Sequence, residues 1–136
     1  MSHYDFEMRI AYADTDRMGV VYYANYLALF ERGRTEFLRS LGLRYRDLEE
    51  KQRLFMPAKE AHVEYFAPAR YDELIKIRTF LTELGLAHLT FGSEIYDEGG
   101  KLIAQGWVKL AVVNPLWKPS RLPADLRSLL QKNLQK

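Results

Sequence analysis

The chain of 136 residues contains no cysteine. Disulfides, a thiol nucleophile and thiolate metal sites are therefore excluded, and the composition fits a reducing compartment, so we expect a cytoplasmic protein. The formal net charge of +2 is too small to indicate a nucleic-acid partner. No apolar run approaches the roughly 20 residues of a membrane span, and the first residues lack the basic and apolar regions of a secretory signal. We expect neither a membrane span nor an export signal.

The proportions of hydrophobic and charged residues predict a packed globular core. Hydrophobic residues make up 48% of the chain and charged residues 28%, which is typical of globular proteins. No linker-like, low-complexity or repeated stretch interrupts it. The sequence therefore predicts a single domain over residues 1–136.

Hydrophobic periodicity predicts one long helix and five strands. A period of three to four residues runs from Tyr22 to Leu41, a helix of about 19 residues, and Gly42 follows where a left-handed C-terminal stop belongs. Residues 44–53 are expected to be helical or irregular, and residues 124–134 a short helix. The strand patterns are Tyr4–Tyr12, Pro57–Phe66, Glu73–Leu84, His88–Tyr96 and Lys101–Val113. These elements predict an α+β fold, an antiparallel five-stranded sheet around one central helix.

The segment from Tyr12 to Tyr26, YADTDRMGVVYYANY, contains the residues with the clearest chemical potential. Asp16 precedes the predicted helix, and Gly19 lets the backbone turn tightly between them. Amides around residues 20–23 would be unpaired donors of the helix start, able to polarise a carbonyl and stabilise an oxyanion. A carboxylate beside them can attack that carbonyl or activate water. The residues alone leave another interpretation open, in which Asp14 and Asp16 only order a turn and cap the helix.

Three motifs resemble those of the 4-hydroxybenzoyl-coenzyme A thioesterase family. They are DTDxxGVVYYANYL at residues 14–27, FERGRTEFL at residues 30–38 and the weaker FAPARYDE at residues 66–73. The chain is most similar to the bacterial acyl-coenzyme A thioesterases associated with the Tol-Pal system. The resemblance implies a hot-dog fold and hydrolysis of an acyl or aryl thioester to a free acid and coenzyme A, without a cofactor.

The resemblance also implies roles for individual residues. Asp16 would be the catalytic carboxylate, as nucleophile or general base, and the backbone amide of Tyr23 the oxyanion donor. Several Tol-Pal-associated relatives carry histidine at the position of Tyr23. The phenol of a tyrosine has an ordinary pKa of ~10 and cannot act as a base at neutral pH. We therefore expect no Asp–His mechanism. The residues expected to bind substrate are Tyr12, Gly19, Val20 and Tyr26.

Dimers of this family join two sheets and place the thioester between subunits. The resemblance therefore implies a homodimer or homotetramer, and covering an exposed edge strand is a physical reason for it.

We expect no metal, because no cluster of His, Glu and Asp has ligand spacing. An alternative function is a non-catalytic acyl-coenzyme A or acyl-carrier binding protein. A hydratase is disfavoured because its chemistry needs a histidine and none lies near Asp16. A cone-shaped α+β isomerase or binding domain is also disfavoured, because such domains usually begin with helices and this chain begins with a predicted strand.

Other polar residues have simpler explanations. His62 and His88 lie in strand patterns and are expected to be structural or solvated. Glu31 and Arg34 are three residues apart on the predicted helix, a spacing that favours a structural ion pair. Four basic residues are expected to be surface charges, any of which could meet coenzyme A phosphates: Arg70, Lys101, Lys118 and Arg121.

Overall fold

The computed structural model describes residues 3–135. It contains the predicted α+β architecture, one antiparallel sheet in the order β1-β3-β4-β5-β2 with a long helix on one face. The strands are β1 (Tyr4–Arg9), β2 (Ala58–Tyr65), β3 (Leu74–Leu84), β4 (His88–Tyr96) and β5 (Leu102–Ala111). The helices are α1 (Tyr26–Ser40), α2 (Tyr45–Lys51) and α3 (Ala124–Lys132). Within residues 3–135, no helix is both long and apolar enough to cross a membrane.

Helix α1 packs its aromatic face on the sheet. Phe30 and Phe37 are almost completely buried, and Phe37 meets Phe91 of β4 edge-to-face at 6.0 Å between ring centroids. Gly33 allows the closest approach of α1 to β3, because a Cβ there would lie 2.5 Å from Oγ1 of Thr79. The core therefore lies between α1 and the inner face of the sheet.

Two predicted elements are shorter than expected. The first strand ends at Arg9, not at Tyr12, because a 3-10 turn spans Tyr12–Asp14 and the Asp14 carboxylate accepts the N–H of Ala11 at 2.9 Å. The long helix begins at Tyr26, not at residue 22, because Tyr23–Asn25 form a separate 3-10 turn.

The C-terminal end of α1 follows the prediction. Gly42 has a φ of +85°, and the N–H of Leu43 bonds to the carbonyl of Leu38 at 2.9 Å. This is the left-handed glycine stop in which orphan carbonyls of the last turn are satisfied. The helix is consequently terminated by local sequence.

Strand β2 is an edge of the sheet and is unusually exposed. It pairs with β5 on one side only, and seven of its eight residues are exposed, Val63 being the exception. Its other side presents backbone N–H and C=O groups without a neighbouring strand among residues 3–135. Such an edge is a template for pairing with another chain.

Candidate active site

Asp16 lies in a tight loop that holds its backbone but leaves one carboxylate oxygen free. Its N–H donates to Val20 O at 2.9 Å, and its carbonyl accepts the N–H of Gly19 at 3.0 Å. Gly19 has a φ of +78°, a left-handed conformation that favours glycine. The side-chain oxygen Oδ1 of Asp16 accepts the N–H of Met18 at 2.8 Å. Oδ2 has no hydrogen-bond partner within the part of the chain described, so it is available for chemistry.

Asp14 has a different arrangement, in which both its carboxylate and its backbone carbonyl accept hydrogen bonds from neighbouring segments. Besides the carboxylate bond to Ala11, its carbonyl accepts the N–H of Tyr22 at 3.2 Å and Nδ2 of Asn25 at 3.0 Å. Asp14 therefore joins the first 3-10 turn to the segment that leads into α1. Each of the two aspartates in the motif keeps one carboxylate oxygen, Oδ1 of Asp14 and Oδ2 of Asp16, without a hydrogen-bond partner within residues 3–135.

Two of the predicted donor amides at residues 20–23 are occupied, whereas the N–H groups of Val20 and Tyr23 have no acceptor within residues 3–135. The N–H of Val21 donates to Ala69 O at 2.8 Å, and that of Tyr22 donates to Asp14 O, so these two amides are occupied. The N–H groups of Tyr23 and Ala24 have no acceptor among residues 3–135, because they open the 3-10 turn. Two adjacent amides that lack partners can together bind a developing oxyanion.

An aromatic cleft opens beside these amides. Its volume is about 330 Å³, and its walls are Val21, Tyr23, Tyr26, Tyr65, Phe66, Ala67 and Pro68. The hydroxyl of Tyr65 donates to the carbonyl of Tyr23 at 2.9 Å, and its ring meets that of Tyr26 edge-to-face at 5.0 Å. The end of β2 thus fixes the turn that presents the amides.

Tyr65 and Phe66 were not predicted as site residues. The FAPARYDE motif marked the segment that starts at Phe66 only as similar to the family. One available signal was the pair of bulky aromatic residues at the end of a predicted strand, separated from Pro68 by one residue. Sequence alone gave no register to place them against Tyr23.

Two tyrosines of this segment have raised pKa values. The pKa of Tyr22 is raised chiefly by its hydrogen-bonding neighbour Tyr23, and to a smaller extent by the charge of Asp16. Burial raises the pKa of Tyr26, whose hydroxyl accepts the N–H of Ala69 at 3.2 Å.

Three of the predicted substrate-binding residues, Tyr12, Gly19 and Val20, lie outside the cleft walls. Tyr12 is 77% exposed and stacks on Tyr71 with ring centroids 4.3 Å apart. Val20 is half-buried and forms a bridge with Arg70. Gly19 and Tyr26 are placed as described above, in the Asp16 loop and in the cleft wall.

The remaining polar candidates lie elsewhere. His62 stacks with Trp107 at 6.0 Å, and His88 lies 3.5 Å from Glu83; neither lines the cleft. The predicted Glu31–Arg34 pair is wrong: Glu31 instead accepts the hydroxyl of Thr35 at 3.0 Å, and no ion pair involves Arg34 within residues 3–135. In the same range, no group of three or more His, Asp or Glu side chains is placed to hold a metal.

Known proteins share the sequence pattern and the fold of this chain. The thioesterase-like superfamily matches residues 10–130. The acyl-CoA thioester hydrolase YbgC of Escherichia coli is 38% identical over 120 residues, covering 88% of this chain and 89% of its own. The putative acyl-CoA thioesterase YneP of Bacillus subtilis is 36% identical, covering 71% and 69%. A DHNA-CoA thioesterase structure from Staphylococcus aureus superimposes with a TM-score of 0.92 at 31% identity, covering 97% of this chain and 91% of that one.

Proposed function

Because the chain belongs to the thioesterase-like superfamily and is a thioester hydrolase, we propose that it cleaves acyl-coenzyme A thioesters in the cleft beside Asp16. The observation that carries the proposal is a carboxylate oxygen and two backbone amides without hydrogen-bond partners within one short segment, residues 16–24. Asp16 supplies the oxygen, and Tyr23 and Ala24 supply the amides. An aromatic cleft adjoins them, which suits an acyl or aryl group.

The amides would bind the thioester carbonyl oxygen. As the tetrahedral intermediate forms, negative charge grows on that oxygen, and the N–H groups of Tyr23 and Ala24 stabilise it. Asp16 either attacks the carbonyl carbon or removes a proton from an attacking water. The carbon–sulfur bond then breaks, and coenzyme A leaves as a thiolate that takes up a proton. In the general-base route this step gives the free acid directly. In the nucleophilic route it leaves an acyl–Asp16 anhydride, which water then hydrolyses to the free acid and the Asp16 carboxylate. Both roles of Asp16 require its charged form.

We also propose that the chain forms a homodimer through strand β2, with pairs of dimers giving a tetramer. Seven of the eight residues of β2 are exposed, and its free edge lies beside the cleft at Tyr65. Antiparallel pairing of two β2 strands would satisfy both edges and extend the sheet across the dimer. Light scattering that finds an active monomer at assay concentrations would refute this part of the proposal.

Two wider expectations remain proposals. We propose that the protein is located in the cytoplasm, because a cysteine-free chain that acts on coenzyme A thioesters fits a reducing compartment. A link to the Tol-Pal system rests on the sequence resemblance.

The test of the activity is release of free thiol from a panel of acyl-coenzyme A compounds, measured with a thiol dye. We expect turnover of at least one member, and no release from any of them would contradict the proposal. A single turnover in ¹⁸O-labelled water tests the nucleophilic role of Asp16. An unlabelled first acid with the label in Asp16 shows an acyl–Asp16 anhydride that water opens at the Asp16 carboxyl carbon. Label in the acid fits a general base, or an anhydride that water opens at the acyl carbon.

A further inference from the structure

A turn at the end of β5 holds two large apolar side chains in solvent. Leu116 is 75% exposed and Trp117 is 63% exposed, and both lie in a hairpin closed by the bridge between Val113 and Pro119. Asn114 orders this turn, because its carbonyl accepts the N–H of Trp117 at 2.8 Å and its Oδ1 accepts the N–H of Leu116 at 2.9 Å. Trp117 has a φ of +64°, a left-handed conformation that is unfavourable for a bulky residue. The fold therefore keeps an exposed indole in place at a conformational cost.

Two segments at this end of the sheet are basic. Hydrogen bonds in both directions between Phe55 and Val113, at 3.0 and 2.9 Å, join residues 53–58 to residues 111–123, and the Phe55 ring lies 6.2 Å from that of Trp117. Neither segment contains an acidic residue. Together they contain three exposed basic residues without an ion pair within residues 3–135: Arg53, Lys118 and Arg121. Since the net charge of the whole chain is only +2, this end is a local positive patch.

The strand register places this patch at the opposite end of the sheet from the aromatic cleft. Ala104, near the start of β5, lies opposite Tyr65 of the cleft wall, and Leu110, near the end of the strand, lies opposite Ala58. The turn at residues 114–118 follows that far end of β5. The patch is therefore separate from the proposed active site of the same subunit. Exposed apolar groups with a polar rim mark sites of contact with proteins or membranes.

We propose that this end of the chain docks on an anionic lipid bilayer, with Leu116 and Trp117 in the membrane–water interface and the three basic residues beside the headgroups. Tryptophan is enriched at that interface, where its ring is buried and its N–H stays hydrated. Each basic side chain near an anionic surface adds to the attraction. Two apolar side chains and a few charges give reversible docking and no permanent anchor. The docking does not depend on the proposed thioesterase activity.

Two properties of the patch favour a bilayer over a protein partner. Two exposed apolar side chains bury far less than the roughly 800 Å² per partner of a stable protein interface. A symmetric contact between two copies would also set one group of three positive charges against the other, which costs free energy. An anionic lipid surface is complementary in charge and accepts a small apolar insertion.

Co-sedimentation of the full chain with lipid vesicles tests the docking. Vesicles of phosphatidylcholine alone are compared with vesicles of phosphatidylcholine and phosphatidylglycerol in equal parts. Partition onto the anionic vesicles should be stronger by about tenfold or more, and it should weaken as salt screens the charges. In Trp107→Phe, Trp117 is the one remaining tryptophan, and its fluorescence should shift to shorter wavelength on the anionic vesicles. Equal binding to both kinds of vesicle, or no fluorescence shift, would overturn the inference.

A double variant, Leu116→Ser with Trp117→Asn, removes the apolar part of the patch. Asparagine tolerates the left-handed conformation of Trp117, so the turn should fold, and circular dichroism checks that it does. Partition onto anionic vesicles should fall about tenfold, because both side chains that enter the interface are lost. Undiminished partition of the folded variant would show that the apolar tip does not touch the bilayer.

A second double variant, Lys118→Gln with Arg121→Gln, removes two charges of the patch. Partition should again fall about tenfold or more. Arg32→Gln with Lys101→Gln is the matched control, since it removes two exposed basic charges outside the patch and changes the net charge equally. The control should stay within about twofold of wild type. An equal loss in both double variants would mean that overall charge, and not this patch, drives the binding.

Two other occupants of the patch give different results. Binding to anionic vesicles should persist with saturating free coenzyme A, and displacement by coenzyme A would assign the basic residues to its phosphates and refute the docking. Light scattering should find the same number of subunits in wild type and in the Leu116→Ser, Trp117→Asn variant. A changed number would make the turn a subunit contact and refute the docking as well. Neither failure touches the proposed thioesterase function, which is measured by thiol release in solution without vesicles.

Discussion

Replacing Asp16 with asparagine removes the charge of the proposed catalytic carboxylate while preserving its loop. The side-chain bond from Met18 N–H to Oδ1, at 2.8 Å, can be accepted equally by an amide oxygen. The bonds from Asp16 N to Val20 O and from Gly19 N to Asp16 O involve only the backbone. The variant should therefore fold with the same turn and the same cleft.

The effect on turnover should nevertheless be large. An amide can neither attack the thioester nor take a proton from water, so the chemical step loses its only charged group in this loop that has a free oxygen. We expect kcat to fall on the order of a thousandfold, or about 4 kcal/mol in the barrier. Substrate binding should be roughly preserved, because Tyr23, Tyr65 and the rest of the cleft walls are unchanged.

Asp14→Asn is the matched control, the same substitution two residues earlier. The Asp14 carboxylate accepts the N–H of Ala11 and orders the 3-10 turn, so its loss should affect stability more than turnover. Steady-state thiol release measures both variants, and circular dichroism confirms that each is folded. A folded Asp16→Asn protein that hydrolyses its best thioester within tenfold of wild type would refute the mechanism.

Three further perturbations test other parts of the structure. Tyr23→Phe should keep activity within a few-fold, because the turn contributes its backbone amide; a loss of roughly a hundredfold, ~2.7 kcal/mol, would show that the hydroxyl takes part. The hydrogen bond from Arg78 holds the pKa of Asp5 below its ordinary value, so this contribution to stability is complete above the unfolded-state pKa and lost as pH falls through the folded-state pKa. Urea unfolding between about pH 5 and pH 2 should therefore show a shallower acid loss in Asp5→Asn, and equal slopes would contradict it. Gly33→Ala places a Cβ 2.5 Å from Oγ1 of Thr79 and should cost about 1–3 kcal/mol of unfolding free energy; an unchanged denaturation midpoint would show that α1 can shift freely.

Short-range patterns in the sequence were enough to predict the order of helices and strands and to single out the candidate loop. The apolar period of α1, the glycine stop at Gly42 and the hairpin turn at residues 97–100 each depend on neighbours a few residues apart. The sharp turn between Asp16 and Gly19 is of the same kind. For this reason the order of elements and the position of the candidate loop followed from the chain itself.

The tertiary structure decided which groups remain free and which segments meet. Tyr65 bonds to the carbonyl of Tyr23 from 42 residues away, a contact set by how β2 lies along β5 and against α1. Arg34 has the spacing of an ion pair with Glu31, yet helix packing buries it without one. Hydrogen-bond partners of a buried group depend on distances between distant segments, and those distances are fixed only when the sheet closes on the helix.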